Sequence, residues 1–161
     1  MDGSLRILTL GCALGAGAMG GVFFAFSTFV MRGLDRLPAA AGLAAMQQIN
    51  ITAVSPAFML GLLGTAAGCV GLAVYGARNL SSGTGQLILA GSLLYLVGTI
   101  GLTIAYHVPR NDALAVLDPA APGSAATWAA YVTEWTRANH IRTAAALAAA
   151  AAFTLALARR R

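Results

Sequence analysis

Four stretches of this chain run long enough without a charged residue to cross a lipid bilayer, and nothing else in the sequence restricts the fold as much. Spanning the hydrocarbon core takes about 20 apolar helical residues. Residues 7–31, 56–77 and 87–106 supply 25, 22 and 20 uncharged positions. A fourth stretch, 143–158, has 16, roughly 24 Å at about 1.5 Å per residue. Adding Ile141 and letting Arg142 snorkel to the interface extends it to 141–158. The pattern predicts an all-α, integral membrane four-helix bundle, with residues 1–161 forming one membrane domain. The first stretch exceeds the roughly 7–15 residues of a signal-peptide core, so it reads as a retained span.

Composition closes off the alternatives. Of 161 residues, ten are Arg, none is Lys and five are acidic, which makes 9% charged, against about 25% in a soluble domain. Too few polar groups exist to cover a soluble core, and too much apolar surface exists for disorder. Cys12 and Cys69 both sit inside apolar runs, which leaves no disulfide framework and no cysteine-based zinc site. The net charge of +5 comes from Arg alone. No basic face recurs along any helix, so nucleic acid is not an expected partner.

The connections predict the remaining architecture. Residues 78–86 form a short Gly/Ser turn. Behind Pro38, the segment AAAGLAAMQQIN places Leu43, Met46, Gln47 and Asn50 on one face, predicting a short surface helix. DPAAPGS breaks the last connection, and Ser124 is a candidate N-cap. From Ala125 a single helix of about 50 Å can run to Ala158, projecting two or three turns from the bilayer. The Arg159, Arg160 and Arg161 triplet marks a cytoplasmic anchor. The termini with the 78–86 turn and the two long connections hold five arginines each. Four of the five acids accompany the second group, so the reading is a multi-pass cell-membrane protein with cytoplasmic termini. Gly11/Gly15, Gly17/Gly21, Gly61/Gly64/Gly68/Gly71 and Gly91/Gly98/Gly101 are spaced for close helix contact, and oligomerisation is open. No buried charge is expected within a span, which argues against a pump or channel.

The polar side chains gather at one end of this bundle. Ser27 and Thr28 lie among Phe23, Phe24, Phe26 and Phe29; both hydroxyls are expected to bond back to their own helix. His107, Arg110, Asn111 and Asp112 follow the third span. Tyr131, Trp135, Asn139 and Arg142 fall at i, i+4, i+8 and i+11 on one face of the fourth helix. His140 sits about 100° round from Asn139, free to point into the bundle or along its flank. Trp128, Tyr131 and Trp135 also suit an interfacial aromatic belt, and Arg142 can pair with Asp112 or Glu134.

FFAFSTFVMRGL, MQQIN, HVPRNDAL and WAAYVTEWTRANHIRTAAALAAA, in that order, resemble the anthrone oxygenase-like family of small four-span membrane proteins. The chain departs from the family at His107 and Arg110, where members often carry Asn and an apolar residue. The resemblance implies an oxidoreductase that acts with molecular oxygen on a lipophilic phenolic or anthrone-like polycycle, without a prosthetic group. Such a reaction needs a base and donors for an enolate oxygen. His140 is the expected base, with Arg142, Asn139 and Asn111 holding the developing charge. Trp135, Tyr131, Phe26, Asn50 and His107 are the expected substrate contacts. Two alternatives stay open: a transition metal at His107 and His140 with Asp112 or Glu134, and a non-catalytic bundle that binds a lipid or quinone-like ligand or assists a partner complex.

Overall fold

A computed structural model describes residues 2–159; Arg160 and Arg161 of the anchoring triplet lie outside it. Four long apolar helices form the bundle: α1 (Gly3–Asp35), α3 (Pro56–Arg78), α4 (Gly83–Ala115) and α5 (Ser124–Ala158). A shorter helix, α2 (Ala39–Thr52), joins the first two. No strand occurs among the described residues. The protein is a multi-pass membrane protein. Large apolar side chains such as Ile7, Leu14, Leu60 and Val97 face outward along all of the first three spans, where lipid rather than water solvates them.

The helices outrun the charge-free stretches. α4 continues through His107 and Pro109 to Ala115, because the turns before the proline are π-helical and wide enough to take its ring and missing N–H. α5 starts at Ser124 and runs 35 residues. Ser124 is not the expected cap. Gly123, at φ 90°, makes the bend that only glycine adopts cheaply, and the Ser124 hydroxyl donates to the Asp118 carbonyl at 2.7 Å. The α3–α4 link is tighter than expected: Ser82 caps α4 by accepting from the Gly85 amide at 2.9 Å.

Neighbouring helices pack as α1 on α5, α5 on α4, α4 on α3, and α3 on α1, closing a ring. Arg6 and Leu157 line one groove, so both chain ends lie at the same end of the bundle. Two cores result. One, within the bilayer, centres on Ala16, Met19, Cys69, Leu72, Ile88, Tyr95, Ala149 and Phe153. The other gathers Met31, Leu43, Met46, Leu114, Trp128, Tyr131 and Trp135 under α2 at the far end. Here Trp128, Tyr131 and Trp135 are buried, and do not form a belt facing lipid. α2 is held down as its spacing predicts: Leu43 and Met46 are buried, and Gln47 Nε2 donates to the Leu114 and Leu117 carbonyls, both at 2.9 Å.

The glycines divide. A Cβ on Gly91 would sit 2.8 Å from the Phe153 ring and one on Gly98 2.5 Å from the Ala145 Cβ, whereas Gly11 and Gly21 face nothing within 4 Å. Close α4–α5 approach therefore depends on Gly91 and Gly98. Gly91→Val should cost about 1–3 kcal/mol through overpacking, and Gly11→Val should change stability by less than about 0.5 kcal/mol. Unfolding of the two variants in one detergent measures the difference.

Candidate functional site

Three of the four π-helical segments feed one cavity. They are Phe26–Val30 in α1, Leu60–Gly64 in α3 and Thr103–His107 in α4. In each, backbone bonds reach five residues instead of four, as when the Val108 amide donates to the Thr103 carbonyl. This rotates the side chains that follow relative to a regular helix, and such turns often mark functional sites. Phe26, Leu62, Thr103 and His107 all line a cavity of about 180 Å3 between α1, α3, α4 and α5, roofed by Met46, Ile49 and Asn50 of α2.

Asn139 organises the floor. It is fully buried, and its Nδ2 donates to the Phe23 carbonyl and to Ser27 Oγ, both at 2.8 Å. Thr143 Oγ1 gives its proton to the Asn139 carbonyl at 2.8 Å. Ser27 therefore donates across to Thr143 Oγ1 at 3.1 Å. The expected back-bond holds for Thr28, which donates to the Phe24 carbonyl at 2.7 Å, but not for Ser27. The π turn carries Ser27 round to face α5.

Asn139 Oδ1 in turn accepts from Arg142 Nε at 3.0 Å and Nη2 at 2.7 Å. Arg142 Nη1 donates to Thr103 Oγ1 at 3.2 Å. The guanidinium lies over the Phe23 ring at 4.0 Å from its centroid. Arg142 is 6% exposed, so it neither snorkels nor pairs with an acid. Among the described residues the single ion pair is Arg110–Glu134 at 3.2 Å, on the surface. The expectation of spans without a buried charge thus fails at Arg142. Its charge meets only neutral groups, and three of its five N–H donors are used within the protein.

The aromatic wall is fixed by Asn111, whose Oδ1 accepts from the Tyr131 hydroxyl at 2.9 Å and from Trp135 Nε1 at 3.0 Å. His107 is 1% exposed and stands edge-on to Trp135, with ring centroids 5.0 Å apart. Its Nδ1 lies 3.2 Å from the Leu102 carbonyl, which accepts only from an N–H. That selects the tautomer with Nε2 as the acceptor, and Nε2 has no partner in the protein. Asn50, another residue of the cavity lining, likewise has a buried Nδ2 without a partner.

Of the residues expected at the site, Phe26, Asn50, His107, Asn111, Trp135 and Arg142 line the cavity. Asn139 and Tyr131 brace them from behind. His140 is not among them. It is exposed on the opposite flank of α5, lining a shallow groove with Arg32, Asp35 and Arg137. His107 and His140 therefore line different cavities. No cluster of three metal-ligating side chains occurs among the described residues. Ser27 and Thr103 join the site beyond the residues expected there. Thr103, His107 and Asn111 at i, i+4 and i+8 were the available signal for one face of α4.

The fold and site define a class: a small multi-pass α-helical membrane protein with a polar-floored cavity at one end of its bundle. More particularly, the chain belongs to the anthrone oxygenase family, whose model matches residues 53–152. The match takes in His107, Asn111, Trp135, Asn139 and Arg142, and leaves out Phe26 and Asn50. No curated protein and no solved structure matches the chain.

Proposed function

We propose that this protein is a membrane oxidoreductase that binds a lipophilic phenol or anthrone-like polycycle as its anion and lets molecular oxygen oxidise it to a quinone. The single observation that carries this reading is Arg142: a buried guanidinium without a carboxylate, on the wall of a largely apolar cavity. A buried cation left unpaired is costly, and an anionic ligand oxygen on its two remaining N–H donors supplies the missing charge. His107 replaces His140 as the base. Its Nε2 takes the proton that ionises the substrate, giving an electron-rich enolate or phenolate whose oxygen rests on Arg142, with the Asn111 amide close by.

Electrons then pass from the anion to oxygen. The ring carbon opposite the oxyanion loses its hydrogens and gains a carbonyl. One atom of O2 enters that carbonyl, and the other leaves as water with two hydrogens from the substrate. Phe23, Phe26 and Trp135 offer faces for the ring system. In this reading the chemistry needs no metal or prosthetic group. The protein sits in the cell membrane with cytoplasmic termini, so the cavity opens near the opposite leaflet.

The test is oxidation of anthrone or 1-naphthol in air by the full chain in detergent micelles, followed by quinone absorbance. A rate well above that of empty micelles is expected. Equal rates with and without protein overturn the enzymatic reading, and tight binding without turnover would leave a ligand-binding bundle in its place.

A further inference from the structure

The cavity distributes its polarity along its depth. Arg142, His107 and Trp135 are buried at its inner end. Its most exposed lining residues are Val22, Val54 and Val108, at 37%, 69% and 44% exposure. All three are apolar, and they belong to α1, to the link just before α3, and to α4. Val22 lies inside the charge-free stretch 7–31, and Val54 and Val108 flank the stretches 56–77 and 87–106. The mouth therefore opens sideways at the depth of the hydrocarbon edge, while α2 closes the cavity toward water.

Size adds a second constraint. A protein cavity of about 150 Å3 accepts one benzene ring. At about 180 Å3, this one encloses one ring fully and a second in part. Three fused rings exceed it, and the third must lie in the mouth among the valines.

From these two observations we infer that the ligand is a membrane-borne amphiphile: a one- or two-ring phenol whose hydroxyl reaches Arg142 while a hydrocarbon tail passes between Val22, Val54 and Val108 into the lipid. The inference rests on the proposed reading of Arg142 and adds the head size, the tail and the lateral route. A tail continuous with the bilayer stays in apolar surroundings when the head binds, so the protein need not bury it. Aromatic faces around the head position favour a planar ring over a simple fatty acid.

The experiment uses the full chain in phosphatidylcholine nanodiscs, with ligand concentrations counted per lipid so that partitioning cancels. The probes are 4-nitrophenol, 2-dodecyl-4-nitrophenol and dodecanoate, and tryptophan fluorescence quenching or its competition reads binding. Both nitrophenols should bind within about threefold of each other, and dodecanoate at least tenfold more weakly. Val54→Trp and, independently, Val22→Trp narrow the mouth. At least one should weaken the dodecyl compound tenfold or more and leave 4-nitrophenol within twofold.

Failure of the dodecyl compound to bind where 4-nitrophenol binds would mean that the mouth does not open to lipid. Equal effects of both Trp variants on the two phenols, or none on either, would remove the tail route. Dodecanoate binding as tightly as its nitrophenol counterpart would remove the ring requirement. Arg142→Gln separates these outcomes from failure of the underlying reading: if it leaves both nitrophenols bound as in wild type, the anion site itself is wrong.

Discussion

Arg142→Gln is expected to lower turnover by about 100- to 1,000-fold, the usual cost of deleting one preorganised donor to a developing oxyanion. The chain should still fold. Glutamine is neutral, so the substitution relieves the desolvation of a buried cation that has no carboxylate to offset it, and its amide can still donate toward Asn139 Oδ1. Thermal stability should therefore hold or rise as activity falls. Arg142→Lys keeps the charge but loses the fork that bridges Asn139 and Thr103, and its turnover should fall between the other two. Steady-state oxidation and thermal unfolding in one detergent measure both quantities. An arginine that served only to brace the helices would give the reverse pattern, with stability lost and turnover of the surviving fraction unchanged.

The second large effect separates two histidines. His107→Ala should reduce turnover by about 100- to 10,000-fold, the range for a positioned general base, whereas His140→Ala should stay within about twofold. His107 is buried against Trp135 with Nε2 free; His140 is exposed on the other side of α5. His107→Ala also leaves a void the size of the lost ring, so added imidazole should restore part of the rate. His107→Gln keeps hydrogen-bonding capacity without comparable basicity, and should be nearly as slow as the alanine variant. A large loss in His140→Ala, with His107→Ala active, would return the base to the flank groove.

Much of this architecture is written in the spacing of charges. Stretches of 16 to 25 uncharged residues fix four helices because a backbone in hydrocarbon must satisfy its own hydrogen bonds. Tyr131, Trp135, Asn139 and Arg142 keep helical spacing, so their shared face on α5 was legible as well. Three things were hidden. The π turn in α1 carries Ser27 round to Asn139 and Thr143, which a helical wheel at 3.6 residues per turn does not foresee. Which way His140 points depends on the rotation of α5 against α1, and that rotation rests on distant contacts such as Gly20 on Leu147. Burial of Arg142 follows from Asn139 and Thr103 arriving from two helices at once. Nothing in the apolar run 143–158 announces a buried cation at its edge.

The most direct measurement concerns the charge on a bound ligand. 4-Nitrophenol changes colour on ionising, so its titration can be followed when bound to the full chain in nanodiscs. If Arg142 holds the anion, ionisation of the bound phenol in wild type should occur at least about one pH unit below that in Arg142→Gln, equivalent to about 1.4 kcal/mol of anion stabilisation. Coincident titration midpoints in the two proteins, with binding intact in both, would contradict the account.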